Sequence, residues 1–464
     1  MKIFTQKTVF NTDTFTPVGM FLNLRNHFSK IALLESNDYR DRSESKSFLA
    51  LNPLLEIRVQ NNLLELILGD KVLQSYDLNS IIFLPEKLNE IIGQIDLDLS
   101  LSEFNGFFGF VGFEFAHLIE KHILKRKSSL DIPDLQLYIY EYVVVLDHFK
   151  NEGYILHNQF KNEFPLKSKP LELLQNKSHT PLYFEKIGEE KSSFSDEEYM
   201  NLVSKAKEHC KRGDVFQLVL SRDFSQAYFG DDFEVYRSLR NLNPSPYLFY
   251  FDFGTHRIFG SSPEAQLKIN KQKAEIHPIA GTVKKTGDSE VDEKSVSFLI
   301  ADKKENAEHT MLVDLARNDL SKNCTDVKVE KYKEIQEFSH VIHLVSKVTG
   351  IQKEKNSVLD LFANTFPAGT LSGTPKPKAL ELIAKYEKTT RDYYGGAIGF
   401  MNSAGILNFA IVIRSILSKN QTLHYRAGAG IVIHSDERGE LNEITNKLGA
   451  IRKALELAQQ TKLN

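Results

Sequence analysis

The chain has 464 residues, 26% of them charged, yet a formal net charge of only −3, so it has the length for a large core and lacks the basic field that gathers nucleic acid or a membrane surface. Its two cysteines, Cys210 and Cys324, lack CxxC spacing, which argues against a disulfide framework or a zinc site and for a reducing compartment. Polar residues break up the first twenty positions and no run reaches membrane-spanning length, so the expectation is a cytoplasmic protein with a small-molecule partner.

Residues 1–165 alternate short apolar runs with polar turns, as in Ile31-Ala-Leu-Leu34, and read as a strand-rich region. Within it, glycines at 106, 109 and 112 interrupt an aromatic run and point to closely packed strands. Residues 166–194, rich in Lys, Asn, Ser and Glu, read as a linker or exposed excursion. A helix then starts at an N-cap, Ser195, with Glu198 as its capping-box partner and Phe194 and Tyr199 as a hydrophobic staple. Strands are expected at 215–220, 247–253, 396–401 and 409–413, and helices near 297–318, 338–349, 377–386 and 440–456, so residues 195–464 form the second region of an α+β protein.

Two acidic pairs stand out, Glu305-Asn-Ala-Glu308 and Glu440-Leu-Asn-Glu443. Each spacing places both carboxylates on one helical face. Taken alone, such a pair is more often a solvated helix face. The apolar stripe after Glu308 buries part of its helix, however, and buried acids without a cation are costly. Together the pairs read as halves of a divalent-metal clamp, and all-oxygen ligation suits Mg²⁺. Arg414 follows the apolar run 409–413, so its guanidinium emerges from a buried strand and needs either a planar anion or an internal acid. In the segment Ala427-Gly-Ala-Gly-Ile431, small side chains let backbone N–H groups approach a carboxylate, or simply pack closely. His340 and His343, on an expected helix, suit proton transfer or plain packing. No cysteine or serine nucleophile accompanies them.

Eight motifs in order carry a resemblance: Asp214-Val-Phe-Gln-Leu-Val-Leu-Ser221, Asn243-Pro-Ser-Pro-Tyr247, Ser262-Pro-Glu264, Pro278-Ile-Ala-Gly-Thr282, Glu308-His309 through Arg317-Asn-Asp319, Phe366-Pro-Ala-Gly-Thr-Leu-Ser-Gly-Thr-Pro-Lys376, Tyr394-Gly-Gly396, and the stretch from Gly428 to Lys447. Across residues 196–455 the chain resembles the chorismate-utilising enzymes, and among them the anthranilate-forming synthases. The resemblance implies a large intertwined antiparallel β-sandwich flanked by helices. It implies Mg²⁺ held by Glu308 and Glu443 with Glu305 and Glu440 supporting, and chorismate bound by Thr282, Tyr394, Arg414 and the backbone of Gly428, Ala429 and Gly430. Glu264 would protonate the departing ring hydroxyl, His343 would serve pyruvate elimination, and Thr370 would position substrate.

Water-adding members of that family carry a lysine where this chain has Gln217, and aminodeoxychorismate synthases typically carry one where it has Ala280. Anthranilate is therefore the expected product. An aminodeoxychorismate synthase and a catalytically silent tryptophan sensor remain the alternatives. No glutaminase segment is evident, which implies a separate glutamine amidotransferase subunit. In the first region, Glu35, Ser36 and Lys46, with Pro246, Tyr247 and Leu248 from the second, resemble the family's L-tryptophan feedback site, with an acid for the ammonium group and an apolar slot for the indole. One departure is Ala410, where many relatives carry cysteine. The chain's own lack of tryptophan fits an enzyme needed when tryptophan is scarce.

Overall fold

Two long strands, Lys46–Gln60 and Leu135–Asp147, pair along nearly their whole lengths and tie the molecule together. Their register shifts between Pro53 and Leu55, where proline has no N–H to give the ladder, and the stretches on either side of this break belong to different sheets. The computed structural model describes residues 1–36, 45–81, 83–120, 126, 128–165, 168–174, 182–337 and 341–460.

The first sheet runs, in spatial order, through Lys2–Asn11, Glu152–Gln159, the end of Leu135–Asp147, the start of Lys46–Gln60, Ile31–Glu35, Tyr247–Asp252, Arg257–Ser262, Ser415–Lys419, Thr422–Ile431, Gln217–Gly230 and Phe184–Ser192. The second runs through Lys71–Asp77, Leu63–Leu68, the other ends of the two long strands, Phe107–Val111, Ala397–Met401, Leu407–Ile411, Ala265–Asn270, Lys273–Ile276, Val341–Gln352 and Cys324–Glu337. Ile279–Lys284 also lies against Val341–Gln352. All these pairings are antiparallel. Strands from the two halves of the chain alternate within both sheets, so the regions are intertwined.

A shared core fills the space between the sheets, with Phe108, Phe110 and Phe400 from one and Phe249, Phe251 and Leu417 from the other. Each fully buried phenylalanine contributes about 1.5–3 kcal/mol of hydrophobic stabilisation. Helices Asp196–Lys211, Phe233–Leu242 and Glu437–Gln460 cover the outer face of the first sheet. The expected capping box at Ser195 and Glu198 is formed. Gly109 shows how closely the strands approach: a Cβ there would stand 1.9 Å from the Gln136 carbonyl oxygen.

Three sequence expectations need correction. The stretch expected as a helix over 338–349 forms the strand Val341–Gln352, buried on both faces, so no alternation marks it as a strand. His340 lies outside the described residues. The single helix expected at 297–318 is two, Ser289–Ala301 and Lys303–Ser321, divided at Asp302, whose extended backbone ends the first. Within 166–194, Lys169–Leu174 is a short helix and Phe184–Ser192 an edge strand whose mostly exposed side chains explain its polar, linker-like composition.

Candidate active site

The helix Lys303–Ser321 starts against Asp302, whose carboxylate accepts the Glu305 N–H at 3.0 Å. Its next turn is pinned by His309, fully buried, which meets the Ser346 hydroxyl at 2.5 Å through Nε2. Burial and nearby Lys333 push that imidazole down to about 4, so it is a neutral anchor at physiological pH. The helix Glu437–Gln460 is seated by Ile444, Leu448, Ile451 and Leu455, an apolar stripe at helical spacing. Seated in this way, the two helices bring Glu305, Glu308, Glu440 and Glu443 onto one cavity of about 890 Å³.

The Glu308 carboxylate accepts a bond from the Gln217 amide at 2.9 Å. Glu443 pairs with Lys447 at 2.6 Å, and the same ammonium donates to the Gly428 carbonyl at 2.8 Å. Among the described residues no three His, Cys, Asp or Glu side chains gather closely enough to cage a metal unaided. The donor set nevertheless fits Mg²⁺, a hard cation that takes one or two carboxylates and completes its shell with water and substrate oxygens.

Arg414 and Tyr394 line the same cavity. Arg414 ends the strand Leu407–Ile411 and its following turn with a left-handed φ of 50°, and among the described residues its guanidinium makes no ion pair. Burial alone lowers its pKa, opposed by the charges of Tyr394 and Glu264. Of the two sequence alternatives for this arginine, the internal acid is thus not realised. Tyr394 is 3% exposed, and burial pushes its phenol up to about 12, so it is a hydrogen-bond donor.

Gly428 and Gly430 lie along the strand Thr422–Ile431 and face the cavity. A Cβ on Gly428 would come within 3.2 Å of the Tyr394 hydroxyl, and one on Gly430 within 2.5 Å of Gln217 and 3.4 Å of Glu308, so glycine here leaves bare backbone beside the acids. Ala429, between them, turns into the core and does not line the cavity.

Glu264 reaches the cavity from the turn joining Arg257–Ser262 to Ala265–Asn270. Burial pushes its carboxyl up to about 8, only partly opposed by a 3.3 Å bond from the Thr370 hydroxyl and the charges of Lys447 and Arg414. Its surroundings therefore favour the protonated form far more than water does. His343, 3% exposed, lines the same cavity from the strand Val341–Gln352 and stands opposite Thr282 in register. The Thr282 side chain lies outside the described residues. Arg426, Lys447 and Asn446 also line the cavity and escaped the sequence reading. Alternation through 426, 428 and 430 was the available signal for Arg426.

A second cavity, of about 590 Å³, is lined by all six residues expected of a feedback site: Glu35, Ser36, Lys46, Pro246, Tyr247 and Leu248. Phe48, Phe104 and Phe400 form an aromatic wall, with ring centroids 5.3–6.2 Å apart. Ala410 lines it too. The Glu35 carboxylate is already engaged inside the protein: Arg240 donates to it through Nε and an Nη at 2.8 Å, and the Tyr236 hydroxyl donates at 2.7 Å, which leaves part of its Oε2 for a further donor. Pro263 and Ile279 line both cavities.

Comparison with known proteins agrees with this architecture. The chain belongs to the chorismate binding enzyme family, whose model matches residues 38–453. It is 33% identical to anthranilate synthase component 1 of Aquifex aeolicus (strain VF5), over 97% of this chain and 94% of that one. It is also 33% identical to the component 1 of Bacillus subtilis (strain 168), over 97% and 92%. The crystal structure of anthranilate synthase component I from Streptococcus pneumoniae TIGR4 superposes with a TM-score of 0.73 at 33% identity, covering 88% of this chain and 92% of that one. The menaquinone-specific isochorismate synthase of Escherichia coli superposes at 0.74 with 18% identity, over 98% of this chain and 94% of that one, a likeness of fold alone.

Proposed function

We propose that this chain catalyses the synthase reaction of anthranilate formation, in which chorismate and ammonia give anthranilate, pyruvate and water, the entry step of tryptophan biosynthesis. The observation that carries the reading is the meeting, on one cavity, of four glutamates from two distant helices with Arg414, which makes no ion pair among the described residues. Its support from relatives is the 33% identity to component 1 chains over nearly the full length.

Chorismate presents two carboxylates, and the cavity has two places for them. Arg414 and Tyr394 suit the enolpyruvyl carboxylate, one through a planar charged fork and the other through a neutral donor. Thr282 and the bare backbone at Gly428 and Gly430 suit the ring carboxylate, beside the acidic face. Mg²⁺ held by Glu308 and Glu443, with Glu305 and Glu440 ordering its waters, would supply the positive charge that draws that carboxylate to the acids. With both ends fixed, the ring lies in reach of an incoming amine.

Hydroxide is a poor leaving group, so the ring oxygen must gain a proton as its bond breaks. Glu264, whose surroundings favour its protonated form, is the acid for this. Ammonia adds to the ring without help from a base, which fits a neutral amide at Gln217. His343 then removes the ring proton, and aromatisation drives pyruvate out. A separate glutamine amidotransferase subunit supplies ammonia, as the component 1 naming of the relatives suggests, and L-tryptophan acts at the second cavity. The free cysteines suit a cytoplasmic setting.

Purified chain incubated with chorismate, Mg²⁺ and ammonium should release fluorescent anthranilate and pyruvate in equal amounts. An amine product that retains its pyruvate, or no product, would defeat the reading.

A further inference from the structure

Behind the cavity wall a single carboxylate gathers two arginines. Glu387 caps the helix Lys376–Tyr386, and its side chain is 1% exposed. Its Oε1 accepts the Ser221 N–H at 2.8 Å, the Ser221 hydroxyl at 2.9 Å and an Arg391 N–H at 2.6 Å. Its Oε2 accepts from Arg391 at 3.0 Å and from Arg426 at 2.9 Å. Two guanidiniums and a carboxylate are expensive to remove from water unless every donor is used. Here most of the remaining donors are used. Arg391 gives one N–H to the Leu371 carbonyl at 2.5 Å and another to the Val219 carbonyl at 2.7 Å, and its plane lies over the Phe113 ring at 4.5 Å. Arg426 reaches the Ser221 and Thr389 hydroxyls.

These bonds tie together segments that are far apart in sequence and that meet at the substrate cavity. Leu371 follows Thr370, Arg426 precedes Gly428 by two positions on one strand face, and the Arg391 carbonyl accepts the Tyr394 N–H at 2.9 Å. Val219, Leu371, Tyr394, Arg426 and Gly428 all line the cavity. Glu387 itself does not. A stability role alone would need no such convergence on one face of one site.

We propose that Glu387 is a positioning residue for substrate binding, holding through Arg391 and Arg426 the segments that carry Thr370, Tyr394 and Gly428 at the separation the substrate's carboxylates require. The inference rests on the reading of this cavity as the chorismate site. His343 sits on another strand and Glu264 on a turn, and among the described residues neither bonds Glu387, Arg391 or Arg426; the cluster reaches Glu264 only through the Thr370 hydroxyl at 3.3 Å, so its loss is felt in binding more than in chemistry.

The test is steady-state anthranilate formation by the full chain at saturating Mg²⁺ and ammonium, with chorismate varied and thermal melts run alongside. Glu387→Gln should raise KM for chorismate about tenfold, and the milder Ser221→Ala about three- to fivefold, while kcat falls less than about threefold in each. If Glu387→Gln does not fold, Ser221→Ala and Thr389→Val carry the test. Variants that melt earlier with unchanged KM, or that lose kcat and KM in other proportions, would reduce Glu387 to a structural residue while wild-type turnover kept the reading of the cavity intact. Failure of the wild-type chain to form anthranilate would overturn both.

Discussion

The two cavities share Pro263 and Ile279 in their walls yet treat charge in opposite ways. In the second cavity the charges are settled within the protein. Arg240 and Tyr236 clamp Glu35, and His277, Lys347 and Lys273 hold Glu275 well below the usual carboxylate range despite its burial. In the first, Arg414 makes no ion pair among the described residues, and burial, outweighing its neighbours, biases Glu264 towards its protonated form. A site prepared for chemistry holds groups in states they would not adopt in water. A site that only senses a ligand needs shape, and the second cavity offers an aromatic wall.

That contrast is easiest to break at Glu264. Glu264→Gln removes the acid while keeping its size, and kcat should fall about 10²–10⁴-fold. In the wild-type chain the acid must be protonated to act, so kcat is expected to hold below pH 8 and to fall as pH rises through the value of about 8. A pH–rate profile flat through pH 9 would remove Glu264 from its role. Arg414→Met should come next, raising KM for chorismate about 10–100-fold, as expected for loss of a charge-assisted pair. Its melting temperature should hold or rise, because a charge that makes no ion pair among the described residues is removed from the cavity wall.

Arg240→Met reverses that pattern. It strands Glu35 in the core and should cost about 2–3 kcal/mol of stability in denaturant melts, with uninhibited kcat changed less than about twofold. If Arg240→Met changed catalysis as strongly as Arg414→Met, the division between the cavities would fail. The smallest effect on turnover is expected from Ser36→Phe, which fills the second cavity. Inhibition by tryptophan should be relieved with kcat intact, and undiminished inhibition would place the effector elsewhere.

Much of this architecture was legible in the sequence, and the exceptions have physical reasons. The acidic pairs were readable because helical spacing is local, and the residues of both cavities could be assembled through the family resemblance, since their order along the chain is distinctive. The strand carrying His343 was misread because burial on both faces erases the two-residue alternation. Division of the helix at Asp302 was available in principle, since Asp302-Lys-Lys-Glu305 has the spacing of a capping motif. The clamp on Glu35 was not available. It depends on Arg240 arriving from a helix about two hundred positions away, and nothing near Glu35 records it. The same holds for two partners of Glu387, Ser221 and Arg426, which come from distant strands, whereas Arg391 lies only four positions away.

The central claim is that Glu308 and Glu443 share one cation with the substrate. It is tested most directly by titrating Mg²⁺ into the purified chain by calorimetry with and without chorismate. Binding should tighten at least about tenfold when chorismate is present and should be lost in Glu308→Gln and in Glu443→Gln alike. Cation binding that ignores chorismate, or that survives either substitution, would contradict it.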